Sequence, residues 1–269
     1  MYKIIALDLD DTLLNSKKEI SLENKKALEA CQARGIKIVI ATGRPYNGIT
    51  KILKELNLLG TDTYAICFNG GLIYNLKNLE IINKTTLKGR DIKEIYHEAK
   101  RLGVNYHVFD INQKLSTPKE NTYTNYEAKI NHINFEIIDP LTFNDNDDFI
   151  KGMMIDPEEK ISMAINNLDD SIKAKYSYFR SAPFFLEFLN PKATKGNALL
   201  WLADYLGYSQ KETMAFGDSE NDISMIIEAG MGIAMENSYP HIKAKANYVT
   251  TSCDDDGVSK AIHKFILDI

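Results

Sequence analysis

What most constrains this chain is a series of short, uninterrupted apolar runs that alternate with helical patterns and end on polar residues. Lys3-Ile4-Ile5-Ala6-Leu7, Ile36-Lys37-Ile38-Val39-Ile40-Ala41 and Tyr64-Ala65-Ile66-Cys67-Phe68 are such runs. Apolar runs of this length without polar alternation suit strands covered on both faces, as in a parallel sheet. Between the first two, Ser21 offers an N-cap, Leu22, Ala27, Leu28 and Cys31 follow at helical spacing, and Gly35 supplies the stop. Between the second and third, Pro45 stands where a helix can start, with Ile49, Ile52, Leu53 and Leu56 on one face. Strand, helix, strand, helix, strand predicts an α/β fold with a parallel sheet and right-handed crossovers.

After Asn69-Gly70-Gly71 the texture changes. Leu72-Ile73-Tyr74 and Glu80-Ile81-Ile82 read as short paired strands around an Asn/Lys turn. From about Lys84 to Asn190 the pattern predicts helices at 90–102 and 157–168, and strands near 104–109, 112–116, 150–155, 174–180 and 184–189. Strands that follow one another without intervening helices imply an antiparallel sheet and an α+β unit. The α/β rhythm then returns, with helices at 195–206, 219–229 and 255–267 and strands at 213–216, 231–235 and 247–249.

Bulk properties narrow the class. At 269 residues, 44% hydrophobic and 26% charged, the chain has a globular composition and enough length to fold without a disulfide or metal staple. A net charge of −5 and a pI near 5.6 argue against a general nucleic-acid binder. Cys31, Cys67 and Cys253 form no CxxC pair, so neither a zinc ribbon nor a disulfide framework is expected. No run approaches the roughly 18 apolar residues of a membrane span. The first apolar run is stopped by Asp8, too early for a signal peptide, so the expected compartment is the cytoplasm.

Chemistry concentrates where strands end. Asp8-Leu9-Asp10-Asp11-Thr12 follows the first run directly. In an open parallel sheet, ligands bind beyond the carboxyl ends of strands. Three carboxylates there need a cation, a proton or a phosphate–metal complex to coexist, unless the segment is a solvated acidic turn. A calcium loop using Asp8, Asp10, Thr12 and Glu19 fails, because Leu13 stands where the sharp turn requires Gly. Thr42-Gly43-Arg44-Pro45 ends the second strand; a hydroxyl, a glycine and a helix N-terminus make an anion site, and Arg44 adds a fork for phosphate or carboxylate. Thr-Gly is also an ordinary turn. Lys195 starts a helix, where a cation opposes the dipole and gains nothing locally; taken alone, it reads as an exposed lysine. Asp218 and Asp222 lie four apart at the next helix start, where a shared hard cation such as Mg²⁺ would relieve their repulsion; Ser219 reads as an N-cap there as well. Gly230-Met231-Gly232 lacks the third glycine of a dinucleotide fingerprint, no GxxxxGK[ST] occurs, and the five histidines sit outside the acidic clusters.

Together, DLDDTLL at 8–14, ATGRP at 41–45, FNGG at 68–71, TKG at 194–196 and GDSEND at 217–222 resemble the haloacid dehalogenase superfamily, most closely its Cof-type, sugar-phosphatase-like hydrolases. The resemblance runs the whole length. It implies a Rossmann-like parallel-sheet core, residues 1–83 and 191–269, with an inserted α+β cap at 84–190 that closes over the site, with hinges at Asn83–Lys88 and Asn190–Ala193. It implies that Asp8 is a nucleophile that becomes an aspartyl-phosphate and that Asp10 is the general acid and base. Thr42 and Lys195 would hold the phosphoryl oxygens, with Gly43, Arg44, Asn69 and Asn221 in the same binding network. Mg²⁺ would be the cofactor, on Asp8, Asp218 and the Asp10 backbone carbonyl, with Asp222 acting through water or on Lys195. One departure is Asp11, where the family usually has Gly. The resemblance leads to a phosphatase of small phosphorylated metabolites, monomeric or weakly self-associating, without nucleic-acid or membrane partners. A phosphomutase or a non-catalytic phosphate-ligand sensor on the same core are the alternatives. The cap residues Tyr123, Tyr126, Lys151 and Arg180 are candidates for specificity, and no motif ranks them.

Overall fold

Three of the expected strands lie side by side in one sheet. In the computed structural model, which describes residues 1–130 and 133–268, β1 (Ile4–Leu7), β2 (Lys37–Ala41) and β3 (Tyr64–Cys67) are parallel neighbours. They are joined by α1 (Leu22–Ala33) and α2 (Tyr46–Glu55). The Asn24 N–H donates to the Ser21 hydroxyl at 3.1 Å to cap α1, and Gly35 ends that helix with φ +76°. β4 (Leu72–Asn75) and β5 (Ile81–Lys84) extend the sheet as an antiparallel hairpin.

A second sheet follows. In chain order come β6 (Leu87–Lys88), α3 (Gly89–Leu102), β7 (Asn105–Asp110), β8 (Leu115–Thr117), α4 (Thr122–Ile130), β9 (Phe135–Ile137), β10 (Asp148–Ile155), α5 (Glu158–Asn166), α6 (Asp170–Lys175), β11 (Ser177–Ala182) and β12 (Phe185–Leu189). The strand order is β11-β12-β10-β7-β8-β9, with β6 on the start of β10, and every pairing is antiparallel except β8 with β9. Tyr106, Val108, Met154, Leu186 and Phe188 of this sheet share one core with Ile92, Ile95, Ile161 and Ile172 of its helices. The Asn190 side-chain amide donates to the Thr86 carbonyl at 2.8 Å and ties the two ends of the segment together.

The chain then rejoins the first sheet through α7 (Lys195–Tyr205), β13 (Thr213–Gly217), α8 (Ile223–Glu228), β14 (Met231–Ala234), α9 (Pro240–Lys243), β15 (Tyr248–Val249) and α10 (Gly257–Ile262). The full order is β15-β14-β13-β1-β2-β3-β4-β5, so β1 lies between β2 and β13 and the chain departs from it in both directions. That divergence opens a crevice at the carboxyl ends of β1 and β13, the place where such sheets bind ligands. Successive strand residues face opposite sides. Ile4, Ala6, Val39 and Ile66 pack with Leu199, Leu202 and Met225 of α7 and α8, while Ile5, Leu7, Ile38 and Ile40 are equally buried on the other side.

The chain divides into two compact units, Met1–Lys84 with Ala193–Ile269, and Thr85–Lys192. The sequence reading differs from the structure where local geometry departs from one regular period. The expected helix at 219–229 is a 3-10 turn, Glu220–Asp222, followed by the shorter α8. The expected closing helix at 255–267 is α10 followed by a wider π-helical turn, His263–Leu267. The expected strand at 174–180 begins only after Lys175, which belongs to α6. The elements α4, α6, α9, β6 and β9 were not expected, β6 falling in the segment expected as a hinge. α4 buries Thr124, Glu127 and Ala128, a face without an apolar stripe to reveal it.

Candidate active site

The first unit brings the expected residues to the carboxyl ends of its strands. Asp8 follows β1, Thr42 follows β2 and Asp218 follows β13. Asp8, Asp10, Thr42, Gly43, Arg44, Ser219 and Asn221 line one pocket of about 260 Å³. Lys195 is the first residue of α7, whose N-terminus is capped by the Thr194 hydroxyl, accepting from the Asn197 N–H at 3.1 Å. Gly70 makes that approach possible. Its φ is +103°, and a Cβ there would lie 2.3 Å from the Thr194 carbonyl oxygen. Only glycine lets FNGG and TKG meet.

Lys195 is 0% exposed, and its Nζ donates to Asp8 Oδ1 at 2.5 Å and Asp222 Oδ1 at 2.6 Å. The second oxygen of Asp222 accepts from the Asp218 and Ser219 N–H groups, each at 2.9 Å. Asp222 is thereby committed to fixing the lysine and the loop that carries Asp218. Gly217 allows this fold-back, since a Cβ there would lie 2.3 Å from the Asp222 Cβ. Asp218 accepts from the Thr12 hydroxyl at 2.7 Å and from the Ser219 hydroxyl at 2.8 Å.

Burial alone would push the Lys195 ammonium towards neutrality, but Asp222 and Asp8 outweigh it and hold the pKa above that of an ordinary lysine. Burial pushes the Asp8 carboxyl up to about 7; Lys195 opposes this, and Asp222 and Asp218 reinforce it. Burial likewise raises Asp218, against the pull of the Thr12 and Ser219 hydroxyls. Oxygens of Asp8, Asp218 and Asp222 lie within 4.8 Å of one another. One ammonium among three buried carboxylates leaves a deficit of positive charge. A hard divalent cation on oxygen donors fits that deficit.

Asp10 is arranged differently. Both its oxygens accept from one edge of the Arg44 guanidinium, Oδ2 from Nε at 2.9 Å and Oδ1 from Nη2 at 2.6 Å. Lys18 Nζ adds a contact to Oδ1 at 3.3 Å and a bond to Asp11 Oδ1 at 3.1 Å. Burial would raise the Asp10 pKa, but Arg44 and Lys18 outweigh it and hold the carboxyl below its ordinary range. The Asp10 carboxylate is outside the three-aspartate cluster, so its expected share in a metal site rests on its backbone alone. The fork expected of Arg44 on phosphate or carboxylate is turned onto this carboxylate. Asp11, standing where glycine was expected, adopts the glycine-like φ of +62°. Asn69, also left-handed at φ +56°, accepts from the Asn221 side-chain amide at 2.9 Å, linking FNGG to GDSEND. Lys18 and Thr12 had no assigned role in the motif reading. Thr12 had a readable signal, a hydroxyl four residues after Asp8; Lys18 had none, being one cation among many.

A family model for haloacid dehalogenase-like hydrolases matches residues 5–262. The chain belongs to that family. Among haloacid dehalogenase-like relatives, YxeH of Bacillus subtilis (strain 168) is 39% identical over 99% of this chain and 99% of its own. Phosphatase YwpJ of the same organism is 32% identical over 96% of this chain and 97% of its own. The solved structure of a subclass IIB sugar phosphatase, BT4131, is 29% identical, with a TM-score of 0.76 over 98% of both chains. This haloacid dehalogenase-like chain is therefore a hydrolase acting on phosphoric monoesters. Among the described residues, no helix is long and apolar enough to cross a membrane.

Proposed function

We propose that this protein is a Mg²⁺-dependent, cytoplasmic phosphatase of small phosphorylated metabolites, sugar phosphates or similar, working through an aspartyl-phosphate on Asp8. The observation that carries the reading is the buried Asp8–Lys195–Asp222 arrangement, with Asp218 beside it, at the strand ends of a pocket that also holds Asp10 and Thr42. The sugar-phosphate class is supported by the similarity to the sugar phosphatase BT4131.

In the first step an Asp8 carboxylate oxygen attacks phosphorus and the bond from phosphorus to the ester oxygen breaks. Asp10, entering this step protonated, gives that proton to the departing oxygen, and Arg44 and Lys18 favour the carboxylate that remains. In the second step Asp10 takes a proton from water, the resulting hydroxide attacks phosphorus, and the bond to Asp8 breaks to release inorganic phosphate. Splitting one displacement into two is the advantage of a covalent route. Lys195 and the Thr42 hydroxyl neutralise and hold the phosphoryl oxygens, which is most of what phosphoryl transfer requires of a protein. Asp8, Asp218 and the Asp10 backbone would hold the cation, which when bound supplies positive charge against the approach of a carboxylate to a phosphate dianion.

The test is phosphate release from a panel of sugar phosphates and other phosphorylated metabolites, with and without Mg²⁺. Wild type is expected to need the metal, and Asp8→Asn to fold normally and lose turnover. A thermal midpoint raised by MgCl₂ in wild type but not in Asp218→Asn reports the cation without reference to activity. Persistent turnover in Asp8→Asn would sink the covalent route.

A further inference from the structure

We infer that Arg44 is a positioning residue for Asp10: its guanidinium orients the acid–base carboxylate and does not serve the transferring phosphoryl group. This rests on the phosphatase reading above. The Asp10 side chain is 40% exposed, so packing does little to select its orientation. Two parallel contacts from one planar edge do select it, since a fork that engages both oxygens fixes the rotation of the carboxylate as well as its position. Lys18, a single point charge on a half-exposed side chain, cannot supply that constraint.

The fork is itself anchored. The Arg44 N–H donates to the Thr42 hydroxyl at 3.1 Å, and the Arg44 carbonyl accepts from the Phe68 N–H at 3.3 Å. Pro45 follows as the N-cap of α2 and biases Arg44 away from helical geometry. Thr42 and Asn69 are joined in the same way, the Asn69 N–H donating to the Thr42 carbonyl at 3.0 Å. The backbone that launches the guanidinium is thus pinned by the two loops that form the pocket wall. The phosphoryl end has its own cation in Lys195, which is bonded to the nucleophile.

This division of labour has a kinetic signature. kcat/KM reports events up to departure of the leaving group. Asp10 matters there only when the leaving oxygen needs its proton. Phenyl phosphate and p-nitrophenyl phosphate present the same phosphoryl group on similar rings, but nitrophenolate leaves readily without a proton and phenolate does so poorly. Arg44→Ala and Arg44→Lys are therefore expected to lower kcat/KM on phenyl phosphate by roughly tenfold more than on p-nitrophenyl phosphate. Lysine keeps the charge but not the fork, so it should restore little. On p-nitrophenyl phosphate the variants should show a burst of nitrophenolate followed by slow turnover, because water activation by Asp10 is impaired in the second step. In an Asp10→Asn background, Arg44→Ala should cost nothing further on either ester.

An equal loss on the two esters, or restoration by lysine, would overturn the positioning role and return Arg44 to the phosphoryl group, with the phosphatase reading intact. Failure of the wild type to release phosphate from both esters would overturn the phosphatase reading, and this inference with it. The melting temperatures of the variants, expected to stay near wild type for a half-exposed pair, separate a local effect from misfolding.

Discussion

Lys195 in the first unit and His107 in the second are both 0% exposed, and they settle into opposite charge states. Lys195 stays an ammonium because two carboxylates reach its Nζ. His107 stays neutral: burial and the Lys151 cation push its pKa down to about 3. Its ring nitrogens meet the Thr124 hydroxyl at 3.2 Å and the Met153 sulfur at 3.1 Å, and the rings of Phe109 and Phe185 pack beside it. Burial is common to both, so the partners decide. Carboxylates at strand ends make the first environment a charged chemical centre; a weak acceptor, a hydroxyl and a repelling cation make the second a structural core.

The comparison breaks most visibly at Lys195. Lys195→Met keeps the length of the side chain but leaves buried carboxylates without their cation. Phosphate release is expected to be lost, and the urea unfolding free energy to fall by about 3–5 kcal/mol, the usual cost of breaking a buried pair. Stability unchanged in Lys195→Met would mean that the pair is not maintained as described.

His107 sharpens the other side. Its native pKa lies below the unfolded value of about 6.5, so between those limits the unfolded chain binds the extra proton. Stability of the second unit should therefore decline as pH falls from about 6.5 towards 3, by up to roughly 1.4 kcal/mol per pH unit from this group. His107→Gln should flatten that slope in pH-dependent denaturation; an unchanged slope would mean that the ring is protonated when folded. Lys18 tests the limit of the comparison. Its ammonium touches Asp10 and Asp11 but is half-exposed, so Lys18→Ala is expected to change stability by less than about 1 kcal/mol.

Legibility in the sequence followed the same physical divide. β1, β2, β3 and β13 are buried on both faces, so their composition announced them, and the polar residues after each supplied the site candidates. Asp8 and Asp218 were readable as repelling acids at strand ends; Lys195, a cation at a helix start, reads by itself as an exposed lysine and stood out only through TKG in company with the other motifs. The Arg44 fork onto Asp10 was not readable, because Arg44 next to a helix N-terminus fits an anion of any origin. Lys18 sits in a turn at φ +60°, a conformation no local pattern announces. In the second unit α6 is only six residues long and α4 buries polar side chains, so neither shows a helical apolar period.

The Asn190–Thr86 bond has a consequence for how the chain finds its fold. β1 and β13 must pair across an interruption that includes the whole of Thr85–Lys192. An unstructured loop of that length makes such pairing slow, because distant segments must meet by chance. Once the second unit has folded, its own entry and exit lie within a single hydrogen bond of each other. In chain-entropy terms the interruption then counts as a short link, and each doubling of loop length that it removes is worth about 0.6 kcal/mol of closure entropy. Folding of Thr85–Lys192 ahead of the β1–β13 pairing would therefore speed that pairing.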